Sequence, residues 1–334
     1  MTKQDSLMVK GLAILMMLFL HLFNSLSNCN LCDNLIMIGD IPFVYFLSKA
    51  ANPVAFFLFL SGYGLYFSNK SNCETNTRNY KRIIKLYIHF WFILTGFLCI
   101  GIILRPDKYP GSLIEIIGNY TSFIYSYNGE YWFLLPYAIL AIASPYIFRL
   151  FERWHYLLPV FLTLCVNVCT SFAISRYGPE YLYSNPWLYN PLLVFHLLFP
   201  FTLGITCART DFWGIIKKLK KVMGVLLWLL LVVLILVYCL LNNYFTHIFY
   251  LLLLIMIFVA APKAEWIKSV FIKLGEHSMN MWLIHTWLCY YLFREFIYGF
   301  KYPLLIYLVL ILISYAVSLI VNFVLRPVEK LIVK

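Results

Sequence analysis

The chain has 334 residues, of which 63% are hydrophobic and 12% are charged. A soluble domain is roughly half apolar and about a quarter charged, and it cannot hide so much apolar side chain from water. Composition therefore excludes an ordinary soluble domain and predicts an integral membrane protein. The net charge of +12 does not indicate nucleic acid as a partner, because the basic residues lie in short stretches between hydrophobic runs.

A membrane-spanning helix needs about 20 mostly apolar residues. Runs of that kind predict an all-α integral membrane bundle of about ten helices, with residues 1–334 forming a single membrane domain and no separate soluble domain. The predicted spans are 7–25, 43–68, 83–104, 131–150, 156–175, 187–207, 222–241, 245–261, 274–297 and 302–325. The seventh and eighth spans, joined by Asn242 and Asn243, have the spacing of a helical hairpin.

The basic residues predict the orientation of the bundle. With the N-terminus in the cytoplasm, most Lys and Arg fall in inner loops, as cytoplasmic loops require. The cations left on the outer side are Lys49, Arg105, Lys108, Arg176, Arg294 and Lys301. An even number of spans returns the C-terminus to the cytoplasm, so we expect both termini there.

The first run carries Lys10 and His21, eleven residues apart. At about 3.6 residues per turn both lie on one helix face, with His21 about 16 Å further along the span. A histidine inside a span is costly unless it faces protein or a water-filled cavity, and it is a natural proton-transfer group. Two other interpretations stay open: Lys10 as a simple topology anchor, and His21 as a contact between helices.

The same run has features of a signal peptide. Lys3 and Lys10 precede the apolar core, and residues 25–27 imitate a small-residue cleavage site. We expect the segment to remain as the first span.

Cys29 and Cys32 form one C-x-x-C in a predicted outer loop. A zinc site of this type needs a second pair, so we predict no metal site. A disulfide and two free thiols both fit the spacing.

Four cations stand close together after the second span, in a predicted inner loop. They are Arg78, Lys81, Arg82 and Lys85. Such a group is either a positive-inside anchor or a docking site for an anionic cytosolic cofactor, because Arg and Lys match phosphates well.

On the outer side, Glu130 and Trp132 lie at the start of the fourth span. An interfacial aromatic belt explains Trp132, whereas Glu130 is a rare acid beside a membrane that would orient a substrate or a histidine.

His285 is the second intramembrane histidine with a notable context. Ser278 lies seven residues before it and therefore shares its helix face. His89, His196 and His247 have weaker contexts and are typical of contacts between helices. The sequence has no P-loop, Rossmann, H-E-x-x-H or G-x-S-x-G motif, which argues against soluble-type hydrolases and nucleotidases.

Five stretches together resemble the acyltransferase-3 family of integral-membrane O-acyltransferases. They are residues 10–21 (KGLAILMMLFLH), 56–65 (FFLFLSGYGL), 78–85 (RNYKRIIK), 131–134 (YWFL) with Pro145, and 278–285 (SMNMWLIH). Each is weak alone, but their order is specific and extends over nearly the whole chain. Three departures stand out: Lys10 and Lys85 replace arginines, and Leu7 replaces an aspartate. Lysine keeps the charge of arginine but not its bidentate fork.

The resemblance implies an acyltransferase that moves an acyl group, usually acetyl from acetyl-CoA, to a hydroxyl of a cell-surface glycan or glycolipid. No bound cofactor, no metal and no nucleic-acid partner are implied. The expected partners are the lipid bilayer of the cell's inner or plasma membrane, an acyl-CoA and a glycan acceptor.

The resemblance also implies roles for the residues singled out above. His21 would be the base or nucleophile, and Lys10 would contribute to catalysis and to donor binding. Glu130 and His285 would support catalysis. The donor would contact Arg78, Lys81, Arg82 and Lys85, with Ser278 and Trp132 in supporting positions.

Two alternatives remain at the level of sequence. A transporter or flippase of a glycan intermediate would be supported by helices broken at Pro53, Pro145 and Pro200, because interrupted spans often line transport sites. The other is an inactive membrane scaffold.

Overall fold

The computed structural model describes residues 1–70, 75–210, 212–241 and 243–333. Most of them are helical, and the strands among them are β1 (Met37–Ile38) and β2 (Ile41–Pro42), which pair antiparallel. The helices are α1 (Lys3–Phe23), α2 (Leu26–Cys29), α3 (Phe43–Ser48), α4 (Pro53–Lys70), α5 (Thr75–Leu104), α6 (Leu113–Tyr120), α7 (Leu134–Glu152), α8 (Leu157–Tyr177), α9 (Pro186–Arg209), α10 (Phe212–Met223), α11 (Leu226–Leu241), α12 (Tyr244–Ala260), α13 (Glu265–Thr286), α14 (Arg294–Tyr298) and α15 (Pro303–Val333). A 3₁₀ turn covers Gly129–Phe133, and π turns cover Gly178–Leu182 and Trp287–Tyr291.

Seven of the described helices are long and apolar enough to cross a membrane, and an eighth span is added if one bent pair counts as a single span. The seven are Lys3–Phe23, Phe43–Asn69, Thr77–Leu104, Gly129–Glu152, Leu157–Leu182, Pro186–Arg209 and Pro303–Leu331. The bent pair is α10 and α11, which meet at 113°. The predicted class, an all-α multi-pass membrane protein, is confirmed.

The predicted count of ten exceeds these seven or eight, because three predicted runs lie on helices that are not simple spans. Helix α11 has 16 residues and α12 has 17, whereas a bilayer needs about 20. Helix α13 has 22 residues, but Glu265, Lys268 and Lys273 lie in its first half. Hydropathy counts such runs as spans, because it detects apolar residues and not the length or the charged start of the helix that contains them.

The predicted hairpin of the seventh and eighth runs is present, since α11 packs against α12. Asn242 lies outside the described residues. Asn243 caps α12, and its side-chain Oδ1 accepts a hydrogen bond from the Thr246 amide at 2.9 Å. An Asn cap satisfies amides that the first turn of a helix leaves unpaired.

Contacts between elements divide the chain into two compact units. The first unit contains residues 1–57 and 212–320, and the second contains residues 58–210 and the chain from 321 onwards. In the first, α1 packs along α13, and α12 packs against α10 and α11. In the second, α9 packs against α7 and α8, and α7 also packs against α5.

Of the three prolines that would support a transporter, only Pro53 adjoins a break in a span. Pro53 is the first residue of α4, and residues 49–52 interrupt the span Phe43–Asn69 between α3 and α4. Pro145 and Pro200 lie inside α7 and α9, which continue through them. Membrane helices tolerate proline where neighbouring groups satisfy the freed backbone carbonyl. Helices α7 and α9 are therefore not broken at their prolines.

Candidate functional site

In the first unit, α1 and α13 touch backbone to backbone. A Cβ atom added at Gly11 would collide with the carbonyl of Phe271, and one added at Gly275 would collide with the carbonyl of Leu7. The two collisions are reciprocal, so Gly11 and Gly275 lie opposite each other. In a lipid bilayer the hydrophobic effect does not drive helices together. Membrane helices associate instead through van der Waals packing, which small residues allow by letting the backbones approach closely.

The same register brings His21 and His285 together. His21 lies ten positions after Gly11, and His285 lies ten positions after Gly275, which is about 15 Å along each helix. The two imidazole centroids are 5.1 Å apart, with their planes tilted by 51°. Helices α1 and α13 therefore run parallel, and the glycine contact sets the register that pairs the two histidines.

Both histidines are buried, with 6% of His21 and none of His285 exposed. His285 Nδ1 lies 2.7 Å from the carbonyl oxygen of Trp282. A carbonyl only accepts, so Nδ1 donates its hydrogen, and Nε2 of the neutral ring carries a lone pair. Among the described residues no hydrogen-bond partner meets this Nε2. It is therefore placed to accept a proton or a hydrogen bond from a bound group.

Tyr290 fixes His21 from the other side. Its ring meets the His21 ring edge-on, with centroids 5.7 Å apart, and its hydroxyl donates to the His21 carbonyl. Tyr290 lies in the π turn Trp287–Tyr291, which directly follows α13. Turns of this type often occur at functional sites, because the extra residue redirects the side chains after it.

Lys10 and Ser278 lie nearer the glycine contact. Lys10 is half-buried, directly before Gly11, and α1 carries it and His21 on one unbroken helix, as predicted. The Ser278 hydroxyl is buried and donates to the carbonyl of Gly275 at 2.8 Å. Its hydroxyl therefore serves the backbone of α13 rather than reaching the histidines.

The four predicted donor-binding cations lie in the second unit and are helical, which corrects the predicted loop. Arg78, Lys81, Arg82 and Lys85 all lie in the first turns of α5, which begins at Thr75. Charged residues end a run of high hydropathy but do not end a helix. The third predicted span therefore starts at residue 83, whereas α5 starts at Thr75. Lys81 is half-buried, and the other three are exposed.

Neighbouring groups hold this basic end of α5 in place. Lys85 Nζ pairs with Glu329 Oε2 at 2.9 Å, and the other carboxylate oxygen lies 2.6 Å from Nε2 of His89. The buried Asn79 donates to the carbonyl of Ala141 and to the hydroxyl of Ser144, at 3.1 and 3.0 Å. One of the four cations is therefore already matched by a carboxylate.

Glu130 and Trp132 also belong to the second unit. Both are half-buried in the 3₁₀ turn Gly129–Phe133, which leads directly into α7. The side-chain oxygen of Asn128 accepts a hydrogen bond from the Glu130 amide at 3.2 Å and so starts the turn. Trp132 packs edge-on against Phe133, with centroids 6.0 Å apart.

The remaining intramembrane histidines have partners of the predicted structural kind. His89 meets Glu329 across α5 and α15. His196 on α9 meets Asn167 on α8, with 3.2 Å between Nδ1 and the side-chain amide nitrogen. His247 Nδ1 lies 2.6 Å from the Tyr238 hydroxyl.

Cys29 and Cys32 are free and buried, so the disulfide alternative is not formed. Their thiols donate to the carbonyls of Phe23 and Asn28, at 3.5 and 3.7 Å. Burial raises the pKa of Cys29 to about 11 and that of Cys32 to about 12. Both thiols are therefore protonated and unreactive at neutral pH.

Sequence reasoning missed Tyr290, Glu329 and the glycine pair Gly11 and Gly275. Glu329 had a usable signal, because it is an acid near the end of an apolar run. The ten-residue Gly-to-His spacing shared by two predicted spans was a second signal. Tyr290 had none, since tyrosine is common near the ends of membrane helices.

Comparisons with known proteins give one match. A family model described as "Acyltransferase domain" matches residues 8–324. No curated protein and no solved structure matches the chain.

Proposed function

The chain belongs to the acyltransferase-3 family of membrane acyltransferases, and we propose that it transfers an acetyl group from acetyl-CoA to a hydroxyl of a cell-surface glycan or glycolipid. The observation that carries the proposal is the buried pair of His21 and His285, whose rings lie 5.1 Å apart. Acyl transfer to a hydroxyl needs a base away from bulk water, and this pair is the best-placed one in the first unit.

In the proposed reaction the acceptor oxygen attacks the thioester carbonyl carbon, and the carbon–sulfur bond breaks. His21 takes the hydroxyl proton and returns it to the departing thiolate, as a general base and then a general acid. His285 supports the proton transfer through Nε2, because its Nδ1 is committed to the Trp282 carbonyl.

A second route also balances. The unprotonated ring nitrogen of His21 attacks the thioester carbon, and the carbon–sulfur bond breaks as the thiolate leaves with the N–H proton of the ring. The acceptor hydroxyl then takes the acetyl group from the ring and gives its proton back to it. Incubation with labelled acetyl-CoA, without acceptor, separates the routes: label held on the protein and lost in a His21 variant supports this second one.

We assign Lys10, Arg78, Lys81, Arg82 and Lys85 to the anionic donor, because lysine and arginine match phosphate groups. Glu130 and Trp132 are assigned to the acceptor, because a carboxylate and an aromatic ring are suited to hydroxyl-rich ligands. We place the enzyme in the cell's inner or plasma membrane, with both termini cytoplasmic, because acetyl-CoA is a cytosolic metabolite.

The test is His21→Ala in the purified, reconstituted enzyme. Acetyl transfer from labelled acetyl-CoA should fall by about 10²–10⁴-fold, the range for loss of a general base. His277→Gln is the matched control, since His277 lies on α13 and its ring bonds Ser318 at 2.8 Å. Full activity of a folded His21→Ala protein would overturn the assignment.

A transport function predicts a different result in sealed vesicles. Label from acetyl-CoA on the acceptor indicates the enzyme, whereas movement of unlabelled acceptor across the bilayer indicates a transporter. The continuous course of α7 and α9 through Pro145 and Pro200 gives transport no support.

A further inference from the structure

Helix α10 turns sharply away from the apolar helix that follows it. The angle between α10 and α11 is 113°, and Gly224 at the junction has φ of +48°. A left-handed backbone conformation of this kind suits glycine, because glycine has no Cβ to clash. Helix α11 is apolar throughout and has 16 residues. Because of the 113° angle, α10 lies across the direction of α11 rather than extending it.

One face of α10 packs on the first unit, and the other is basic. Phe212 and Ile216 are buried, and α10 packs mainly against α12. The four lysines of the helix are all exposed and cover its opposite side: Lys217, Lys218, Lys220 and Lys221. No acidic side chain among the described residues forms an ion pair with any of them.

A third strip of the same helix is apolar and uncovered. Ile215 is 51% exposed and Val222 is 81% exposed. They are seven residues apart and therefore share one edge of the helix, next to Lys218. A basic face beside an exposed apolar edge is typical of helices that lie in a lipid–water interface.

Helix α10 lies at the end of the first unit where the chain begins. Burial lowers the pKa of the Met1 amine to about 6, and the nearby charge of Lys217 adds to the lowering. Lys263 also lies near α10, because burial lowers its pKa to about 8 and the charge of Lys220 adds to the lowering. Lys10 is near this end as well, on the side predicted to be cytoplasmic.

We propose that α10 is a membrane-surface helix that binds anionic phospholipid headgroups through its four lysines and inserts Ile215 and Val222 among the acyl chains. The charge of the lysine face is complementary to anionic headgroups. The apolar edge favours a lipid over coenzyme A as the partner. A soluble polyanion would pair with the lysines but leave the two apolar side chains in water. The proposal does not depend on the acyl transfer reaction.

The test measures how phosphatidylglycerol stabilises the full chain in detergent. We expect phosphatidylglycerol to raise the melting temperature, whereas phosphatidylcholine should not. Each lysine near an anionic surface is worth about fivefold in affinity. Lys218→Gln with Lys221→Gln should therefore raise the half-maximal phosphatidylglycerol concentration about 30-fold, and high salt should have a similar effect.

The matched control is Lys273→Gln with Lys301→Gln, which removes two exposed lysines elsewhere in the first unit. This variant should keep the response to phosphatidylglycerol. Ile215→Ser with Val222→Ser should weaken it while leaving all four lysines in place.

Three results would overturn the proposal. The first is an unchanged phosphatidylglycerol response in the Lys218 and Lys221 variant. The second is an equal loss of that response in the Lys273 and Lys301 variant. The third is a Lys218 and Lys221 variant that keeps the response to phosphatidylglycerol and loses only stabilisation by added coenzyme A. The last would assign the lysines to the acyl donor. The melting temperature of each variant without lipid shows whether it is folded, and charge reversal by Lys218→Glu repeats the test if the double variant is not.

Discussion

Each unit buries a histidine within a membrane-spanning helix, and the two histidines have different neighbours. In the second unit, His89 shares the carboxylate of Glu329 with Lys85, at 2.6 and 2.9 Å. In the first unit, His21 faces the imidazole of His285. A carboxylate between a lysine and a histidine joins helices through charge-assisted hydrogen bonds. Two facing imidazoles instead place a basic nitrogen, Nε2 of His285, where a proton can be received.

The difference shows that burial alone does not identify a reactive histidine. His89 is 1% exposed and His21 is 6% exposed, so both are equally hidden from water. What separates them is the group that each ring meets. The Nε2 of His89 is bonded to a carboxylate, whereas the Nε2 of His285 beside His21 meets no hydrogen-bond partner among the described residues and can take a proton from a bound group.

The largest effect is expected from His285→Asn, which probes this difference directly. Asparagine keeps a side-chain N–H for the Trp282 carbonyl but has no basic nitrogen. We expect kcat to fall by about 10²–10⁴-fold with little change in KM for acetyl-CoA. His89→Asn is the counterpart in the second unit and should lower stability while leaving kcat within a few-fold. If both substitutions reduced kcat equally, the two sites would not differ in role.

A smaller effect is expected from Gly275→Ala, which separates α1 from α13. The added Cβ would meet the Leu7 carbonyl, and backbone cannot move aside as a side chain can. We expect a loss of about 1–3 kcal/mol in stability, with a lower kcat because the histidines shift. Gly204→Ala, whose Cβ would meet the Phe59 carbonyl in the second unit, should cost similar stability but preserve kcat.

Gly96→Ala serves as the control for both glycine variants. Gly96 lies in α5 with no neighbouring atom within 4 Å of an added Cβ. The substitution should raise stability by up to about 1 kcal/mol, the difference in helix propensity. Thermal unfolding and steady-state kinetics of the three variants give the comparison, and equal kcat values in all three would contradict it.

Glu329→Gln should have a still smaller effect, of a different kind. Loss of the carboxylate removes the charge from its bonds to Lys85 and His89, which should cost about 1–2 kcal/mol of stability. Lys85 is then released for the donor, so KM for acetyl-CoA should fall about fivefold at unchanged kcat. A rise in KM would show instead that Glu329 orients Lys85.

The smallest effect is expected from Tyr290→Phe. Its hydroxyl donates to the His21 carbonyl, and one such bond is worth about 1 kcal/mol, or about fivefold in kcat if the ring loses its position. Tyr307→Phe is a close match, because Tyr307 donates to the Leu15 carbonyl on the same helix at 2.9 Å. It should lose the same stability without the loss in kcat. Equal kcat values would leave Tyr290 with no positioning role.

Sequence predicted the class of the protein, the family and the first span with its Lys10 and His21. These follow from apolar runs and helical phase, which are local properties. It did not predict that His285 meets His21, because no sequence pattern states which spans are neighbours. It missed Glu329 for the same reason, since Lys85 and Glu329 lie far apart in the chain. The late start given to the third span shows that hydropathy locates the lipid-facing part of a helix and not its end.

The equal spacing of glycine and histidine on α1 and α13 limits how this gene can change length. A substitution between Gly11 and His21 alters one contact. An inserted or deleted residue there turns His21 by about 100° and moves it about 1.5 Å along the axis, while the glycine contact holds its place. A matching change between Gly275 and His285 would not restore the pair, because in parallel helices both rings would turn in the same sense and point to opposite sides. Both ten-residue segments are therefore closed to insertions and deletions, whereas the loops outside them are not.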